Sequence, residues 1–171
     1  MVVRLLCLLL LSTSALAEWR STEDSTLNFE AVFEGAPLPG EFPSFSVVYI
    51  DGERLAVDID LAKADLGDDE MNAVLFDAAW FGTEFAAARF EATRFSAGAD
   101  GELVASGQLE LKGITRNVDV PITWSENGDT ATMSGEFTLD RTQFDVGSGE
   151  WSTGESIAIE VVVRFAVTLS R

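Results

Sequence analysis

The sequence has no histidine and one cysteine, Cys7, among its 171 residues. Without histidine the chain cannot build a Ser-His-Asp or Cys-His nucleophile system, and it has no imidazole ligand for zinc or copper. Because Cys7 lies in the leading apolar stretch, the rest of the chain forms no disulfide and depends on its core alone. Calcium binding by carboxylates alone stays open.

Basic side chains are also scarce, since 11 lysines and arginines face 29 acidic residues, for a net charge of −18. A surface of this charge repels nucleic acid and anionic lipid headgroups, so both are poor partners. Such acidity is typical of a surface that keeps an exposed protein soluble. Paired carboxylates such as Asp58 and Asp60 fit a solvated surface, and Gly147-Ser148-Gly149 is not a nucleophile elbow. The residues therefore do not indicate an enzyme.

The first residues have the pattern of a secretory signal peptide. Arg4 precedes an apolar run over 5–11, and Ala15-Leu16-Ala17 fits a cleavage site. The run is too short for a permanent anchor, although an uncleaved N-terminal anchor is the alternative. We therefore predict a signal peptide at residues 1–17 and one exported domain at residues 18–171, with no integral membrane segment after processing.

Most later segments alternate apolar and polar residues with period two, which predicts half-buried antiparallel strands. The alternating segments are 27–34, 55–62, 103–112, 118–125, 131–140 and 157–169. Further strands near 40–50 and 87–97 bring the total to about eight, and glycine turns such as Lys112-Gly113 separate them. One short helix is predicted where Asp68-Asp69-Glu70 precedes apolar residues at helical spacing.

About eight long strands joined by hairpins can form a sandwich or a closed barrel, and closure removes the exposed edges. The pattern thus favours an all-β, eight-stranded antiparallel barrel with one short helix. Its interior is either filled by side chains or holds one small ligand. Small inward residues such as Ala105, Gly107, Ala131 and Gly135 favour free space. The candidate cavity-lining residues are Phe29, Phe33, Val57, Ile59, Phe76, Phe81, Phe90, Ala105, Val120, Trp124, Ala131, Met133, Phe137, Val161, Val163 and Phe165.

Residues 109–123, LELKGITRNVDVPIT, resemble the L-x-I-K-G-V-T-[KR]-x-V-x-[LIV]-P hairpin of the YceI-like family of polyisoprenoid-binding proteins. The resemblance covers residues 19–171. Other landmarks occur in the family's order, namely Phe29, Gly40-Glu41-Phe42, Phe45, Val57 to Asp60, Phe76 to Phe81, Phe90, Leu139-Asp140-Arg141 and Phe144. The chain departs from the family at Asp145 and at Glu84-Phe85-Ala86, which leaves the nearby loops open.

The resemblance implies a lipocalin-like barrel in the bacterial periplasm that binds or carries a long isoprenoid lipid or isoprenoid quinone. It implies no catalytic residue and no covalent cofactor. Lys112, Arg116 and Arg141 are candidates for headgroup contacts, with structural pairing to Asp119 and Asp140 as the alternative. A second hypothesis is a quinone-linked component of a periplasmic electron-transfer or stress-response system. A homodimer and a membrane b-type cytochrome are candidate partners.

Overall fold

The computed structural model describes residues 17–171, and the signal peptide predicted at residues 1–17 lies outside them except for Ala17. Strands account for most of the described chain. The elements in chain order are β1 (Glu18–Ser21), β2 (Thr26–Phe33), β3 (Ala36–Glu41), β4 (Phe45–Ile50), β5 (Arg54–Asp60), α1 (Asp69–Leu75), β6 (Ala87–Ala97), β7 (Leu103–Leu111), β8 (Ile114–Asn127), β9 (Thr130–Asp140) and β10 (Glu160–Ser170). Short 3₁₀ helices lie at Leu61–Lys63, Ala99–Gly101, Arg141–Phe144 and Gly149–Thr153.

The sheet closes on itself as an antiparallel barrel. Its strands follow the order β1-β4-β5-β6-β7-β8-β9-β10, and β1 pairs with β10 to close the ring of eight. β2 and β3 extend from the same edge of β10. Along that edge Ser170 pairs with Arg20 of β1, and Val163 pairs with Phe29 of β2. The eight-stranded antiparallel barrel predicted from the alternating pattern is thus confirmed.

The turn predicted at Lys112-Gly113 connects β7 and β8. Lys112 has φ 50° and Gly113 has φ 72°, so both residues of the two-residue loop are left-handed. That geometry matches the right-handed twist of the flanking strands, and it favours glycine at the second position. The turn prediction is confirmed.

The single predicted helix is also confirmed. Asp68 is its N-cap, and one side-chain oxygen of Asp68 accepts hydrogen bonds from the amides of Glu70 and Met71, both at 3.0 Å. Capping in this way satisfies amide groups that have no partner inside the helix. α1 lies in the long connection between β5 and β6.

The sequence pattern did not reveal two strands, β1 and β3. β1 has only four residues, and β3 carries Pro37 and Pro39 in the stretch APLPGE. Proline cannot donate to a sheet ladder, so it is confined to positions such as edge strands. β3 pairs with β2, and its last residue, Glu41, exchanges two backbone hydrogen bonds with Asp65 at 2.8 and 2.9 Å.

The two ends of the barrel differ in construction. The packed end, around Trp19, Tyr49, Phe95 and Trp124, has short turns and aromatic contacts, with Trp124 ring centroids 5.6 Å from Trp19 and 5.1 Å from Tyr49. At the opposite end, residues 61–86 and 141–159 form a cap that contains α1 and three of the 3₁₀ helices. Within residues 17–171 no helix has the length and apolarity needed to cross a membrane.

Candidate functional site

A cavity of about 530 Å³ lies between the packed end and the cap. Its volume falls in the usual range of small-molecule sites. Alternating residues of the barrel strands form its wall, since successive side chains of a strand point to opposite faces. Among the lining residues that the structure describes, Arg141 is the one charged side chain. The cavity can therefore enclose an apolar molecule, but it provides almost no polar contacts for a charged one.

Most of the side chains predicted to line the cavity do surround it. These are Phe29, Phe33, Val57, Ile59, Phe81, Phe90, Val120, Met133, Phe137, Val161, Val163 and Phe165. They come from seven elements of the barrel and the cap, so no single segment makes the site. Their contact with a ligand stays a prediction.

Phe76, Ala105, Trp124 and Ala131 do not line the cavity. Phe76 is the C-cap of α1, and the helix turns Met71, Val74 and Leu75 to the wall instead. Trp124 packs against Trp19 at the packed end.

Ala105 and Ala131 are 0% and 2% exposed, enclosed by the barrel wall with no open space beside them. They belong to the same buried core cluster as Trp19 and Tyr49 of the packed end. The prediction that these four residues line the cavity is therefore corrected.

The small inward residues do not create the cavity space either. A Cβ atom at Gly135 would lie 2.6 Å from Cζ of Phe165, its cross-strand neighbour, and would also overlap the carbonyl oxygen of Pro121. A Cβ at Gly40 would overlap the ring of Phe29, which pairs with it across β2 and β3. Each glycine therefore leaves room for a phenylalanine ring to lie against the wall. Glycine here serves close packing rather than ligand space.

Lys112 is 8% exposed and does not face the cavity as a headgroup contact. Its Nζ donates to the carbonyl oxygens of Asp145 at 2.6 Å, Ala78 at 2.8 Å and Ala79 at 3.3 Å. These three acceptors match the three N–H groups of an ammonium. The carboxylate of Asp145 lies 3.5 Å away, so the ion partner is neither Asp119 nor Asp140. Lys112 joins the two segments of the cap.

Arg141 is 4% exposed and has every guanidinium donor occupied. It donates to the backbone carbonyl oxygens of Val146 (2.8 Å), Gly147 (3.0 Å), Trp151 (2.5 Å), Ile157 (2.8 Å) and Ala158 (2.9 Å). Five bonds equal the five donors of arginine. Burial lowers the pKa of Arg141, while the charge of Asp140 opposes that shift. Arg141 thus organises residues 141–159 and has no donor left for a headgroup.

Arg116, the third predicted headgroup contact, is exposed and donates to the carbonyl of Thr115 at 3.0 Å. It borders a separate surface depression of about 220 Å³ together with Asp119, Asp140 and Gln143. Arg116 is absent from the cavity wall, and a headgroup contact at this residue stays a prediction.

The sequence pattern missed the part of the wall that comes from the cap. That part includes Leu61, Leu66, Met71, Val74, Leu75, Trp80, Phe144, Val146, Trp151 and Ile157. Most of these residues lie outside the strands and α1, where spacing does not indicate the direction of a side chain. Met71, Val74 and Leu75 lie on α1, whose spacing predicted the helix but not the part of the molecule that its apolar face contacts. The feature of the sequence that could have indicated these wall residues was the concentration of aromatic residues at 76–85 and 144–151. Val74 lines the cavity although it is 43% exposed.

Trp80 occupies a fixed place in this wall. Its ring centroid lies 5.9 Å from that of Trp151 and 5.6 Å from the guanidinium carbon of Arg141. Its indole nitrogen is shielded from solvent and has no hydrogen-bond acceptor among residues 17–171. Trp80 therefore lines the cavity with carbon atoms of its ring, and its indole nitrogen is closed off from the open space.

Comparison with known proteins agrees with the geometry. The sequence model of the YceI-like domain matches residues 20–169. BcnA of Burkholderia cenocepacia is similar in structure, with 28% identity and a TM-score of 0.78 over 84% of this chain and 95% of BcnA. No curated protein sequence matches the chain.

Two further solved structures share the fold at lower identity. A polyisoprenoid binding domain from Saccharophagus degradans has 17% identity and a TM-score of 0.77, over 91% of this chain and 99% of that domain. The Campylobacter jejuni YCEI protein has 13% identity and a TM-score of 0.66, over 78% and 85% of the two chains. Both likenesses concern the barrel architecture.

Proposed function

This chain belongs to the YceI-like domain family, and we propose that it is a binding or carrier protein for a long isoprenoid lipid or isoprenoid quinone. The observation that carries the proposal is the cavity of about 530 Å³ whose wall is apolar except for Arg141. The description of the Saccharophagus degradans domain as polyisoprenoid-binding supports the same class of ligand. Binding rather than catalysis fits a site whose two nearby buried cations are both held by backbone carbonyls.

The energetics of such a site need no charged contact. Each buried methylene contributes about 0.8 kcal/mol, so a five-carbon isoprene unit contributes roughly 3–4 kcal/mol before ordering costs. A few units inside the cavity therefore suffice for tight binding. The phenylalanines of the wall suit this purpose because their rings are rigid and apolar.

The experiment is mass spectrometry of an organic extract from natively purified protein, with two matched variants. Val161 lines the cavity, whereas its neighbour Val162 points to the outer face of β10. Both side chains are half-buried. Val161→Phe adds a ring to the cavity and should remove two to three methylenes of ligand contact, about 2 kcal/mol of binding. Val162→Phe should keep the wild-type lipid content.

An extract without isoprenoid lipid from the wild type would contradict the proposal. Equal lipid content in Val161→Phe and Val162→Phe would place the ligand outside the barrel. Both variants are checked for a folded barrel by thermal unfolding, so that a loss of lipid is not a loss of structure.

The place of action that we propose is the bacterial periplasm, after removal of residues 1–17. The support is the pattern of Arg4, the apolar run and Ala15-Leu16-Ala17. Intact-mass measurement of protein from the periplasmic fraction tests this. A mass that retains residues 1–17, or protein confined to the cytoplasm, would contradict it.

A role in a quinone-linked electron-transfer or stress-response system is the narrower form of the proposal. An absorbance change on chemical reduction of the natively purified protein would support a bound, redox-active quinone.

The homodimer and the membrane b-type cytochrome partner stay predictions. Light scattering of the purified protein and co-purification from solubilised membranes test them in turn.

A further inference from the structure

We propose that the ligand enters and leaves the cavity through the gap between β3 and the cap segment 61–75, and that a backbone bridge between Glu41 and Asp65 holds this gap closed. The inference rests on the proposed function, because it assigns an entrance to the same cavity. β3 is the last strand in the order of the sheet. Within residues 17–171 no strand pairs with its outer edge, where the contact is the isolated bridge of Glu41 with Asp65.

The outer edge of β3 is poor in hydrogen-bond donors. The amide and the carbonyl of Glu41 both point to Asp65, in hydrogen bonds of 2.8 and 2.9 Å. Backbone groups alternate in direction along a strand, so Pro37 and Pro39 face the same edge as Glu41. Neither proline has an N–H to donate. In the described chain, two backbone hydrogen bonds therefore join the cap segment to this edge.

The cavity extends to both sides of the gap. Leu38 and Phe42 line it from β3 and the residue that follows, whereas Leu66 and Met71 line it from the cap segment. All four side chains are half-buried. Side-chain contacts complete the wall here, with the ring centroid of Phe42 6.3 Å from that of Phe81. Such side chains can move aside without breaking a backbone ladder.

Other routes out of the cavity break more contacts. Neighbouring strands of the ring are joined by backbone hydrogen bonds, and aromatic rings fill the packed end. Lys112 and Arg141 hold the rest of the cap through the carbonyl oxygens of residues 78–79 and 145–158. One hydrogen bond changes an equilibrium constant by about a factor of five. The gap, with two such bonds, should open most readily.

A reversible cross-link tests the entrance. The Cα atoms of a hydrogen-bonded antiparallel pair lie about 5.5 Å apart, within the range of a disulfide. Glu41→Cys combined with Asp65→Cys should therefore cross-link on oxidation, in a chain that also carries Cys7→Ser so that no other thiol is present. The matched control is Ser125→Cys with Thr132→Cys, an exposed antiparallel pair of β8 and β9 near the packed end.

The probe is a benzoquinone with a geranylgeranyl tail, because a quinone quenches tryptophan fluorescence and Trp80 and Trp151 line the cavity. Stopped-flow mixing measures entry, and transfer to excess phosphatidylcholine vesicles measures exit. The oxidised pair at residues 41 and 65 should slow both rates by about tenfold or more, with Kd unchanged, because any other route breaks several backbone bonds. Reduction should restore both rates. The oxidised control should keep the wild-type rates.

A second variant weakens the bridge and needs no cross-link. Glu41→Pro removes the N–H that donates to the carbonyl of Asp65, and it repeats the prolines already present at this edge. Loss of one of the two hydrogen bonds should speed entry and exit about fivefold. Thermal unfolding checks that the variant keeps its barrel.

The outcomes separate the two proposals. A wild type that does not bind the probe would overturn the proposed function and this inference with it. Wild-type rates in the oxidised pair at residues 41 and 65, with the cross-link verified by mass, would overturn the entrance alone. Equal slowing in the two cross-linked pairs would do the same, since it would reflect a stiffer barrel. If the pair does not cross-link, the rates of Glu41→Pro decide, and rates no faster than wild type would overturn the entrance.

Discussion

The packed end and the cap end of the barrel are built from the same long strands, yet aromatic rings fill the first and the second encloses space. Trp19, Tyr49 and Trp124 contact one another across the packed end. Toward the cap, the wall carries valine, leucine, isoleucine and phenylalanine side chains that leave about 530 Å³ open. The alternation of the sequence determines whether a side chain points into the barrel or out of it. The size of the inward side chains determines whether they fill the interior or leave a cavity.

The largest effect should come from removing the residue that organises the cap. Arg141→Met leaves five carbonyl oxygens without their donor, at about 1 kcal/mol each, or about 5 kcal/mol of the free energy of unfolding. The control is Arg116→Met, which removes an exposed arginine and should change stability by less than about 0.5 kcal/mol. Urea titration measures both. Equal midpoints for the two variants would show that the cap holds its conformation without Arg141.

Truncating one aromatic residue in each region compares their packing directly. Trp19 is 1% exposed at the packed end, and Phe90 is 7% exposed on the cavity wall. Trp19→Ala should lose about 4 kcal/mol, as in a filled core. Phe90→Ala should lose only about 2 kcal/mol, because one side of the ring already faces open space. Equal losses in chemical unfolding would mean that the cap end is packed as densely as the other.

The opposite change, the addition of an aromatic ring in each region, tests where the interior has free space. Ala131→Phe forces a phenyl group among buried neighbours at the packed end and should cost about 1–3 kcal/mol. Val161→Phe projects into the cavity and should cost less than about 1 kcal/mol in the ligand-free protein. Thermal unfolding without ligand provides the comparison. Greater destabilisation by Val161→Phe would contradict the assignment of free space to the cap end.

The smallest effect concerns hydrogen bonds within the cap, between Asp65 and the segment that leads into α1. Hydrogen bonds from Asn72, the main cause, and from the amide of Gly67 hold the pKa of Asp65 below its ordinary value of 3.8. Because the folded-state pKa is lowered, this stabilisation is complete above the ordinary value and is lost as pH falls through the lower one. The difference in Tm between wild type and Asp65→Asn should therefore be constant above about pH 5 and shrink below about pH 3.8. A difference that does not change with pH would show that the charge of Asp65 contributes nothing.

The barrel was predictable because its strands alternate and its turns carry glycine. Gly113 illustrates this, since one glycine between two alternating segments implied the left-handed turn that the structure has. β3 was not predictable, because its prolines argue against a strand when no pairing partner is known. Its place beside β2 depends on contacts between distant segments, which the sequence does not display.

The cavity wall was predictable only where strands supply it. Phe29 and Val163 follow from alternation, whereas Trp80 and Trp151 belong to loops whose direction depends on Lys112 and Arg141. The prediction failed at Ala105 and Ala131 because small side chains can mark either free space or close packing. Which of these applies depends on the groups opposite, so only the three-dimensional structure distinguishes them.

The pairing of β1 with β10 has a consequence for how the molecule folds. Arg20 pairs with Ser170, so the contact that closes the barrel joins two segments from opposite ends of the described chain. During synthesis β10 leaves the ribosome after every other strand, and until then the edge of β9 and the apolar lumen stay open. Contacts so distant in sequence form slowly, and open strand edges promote aggregation. Until its final strand is in place, the nascent chain therefore exposes a strand edge and apolar surface that favour aggregation.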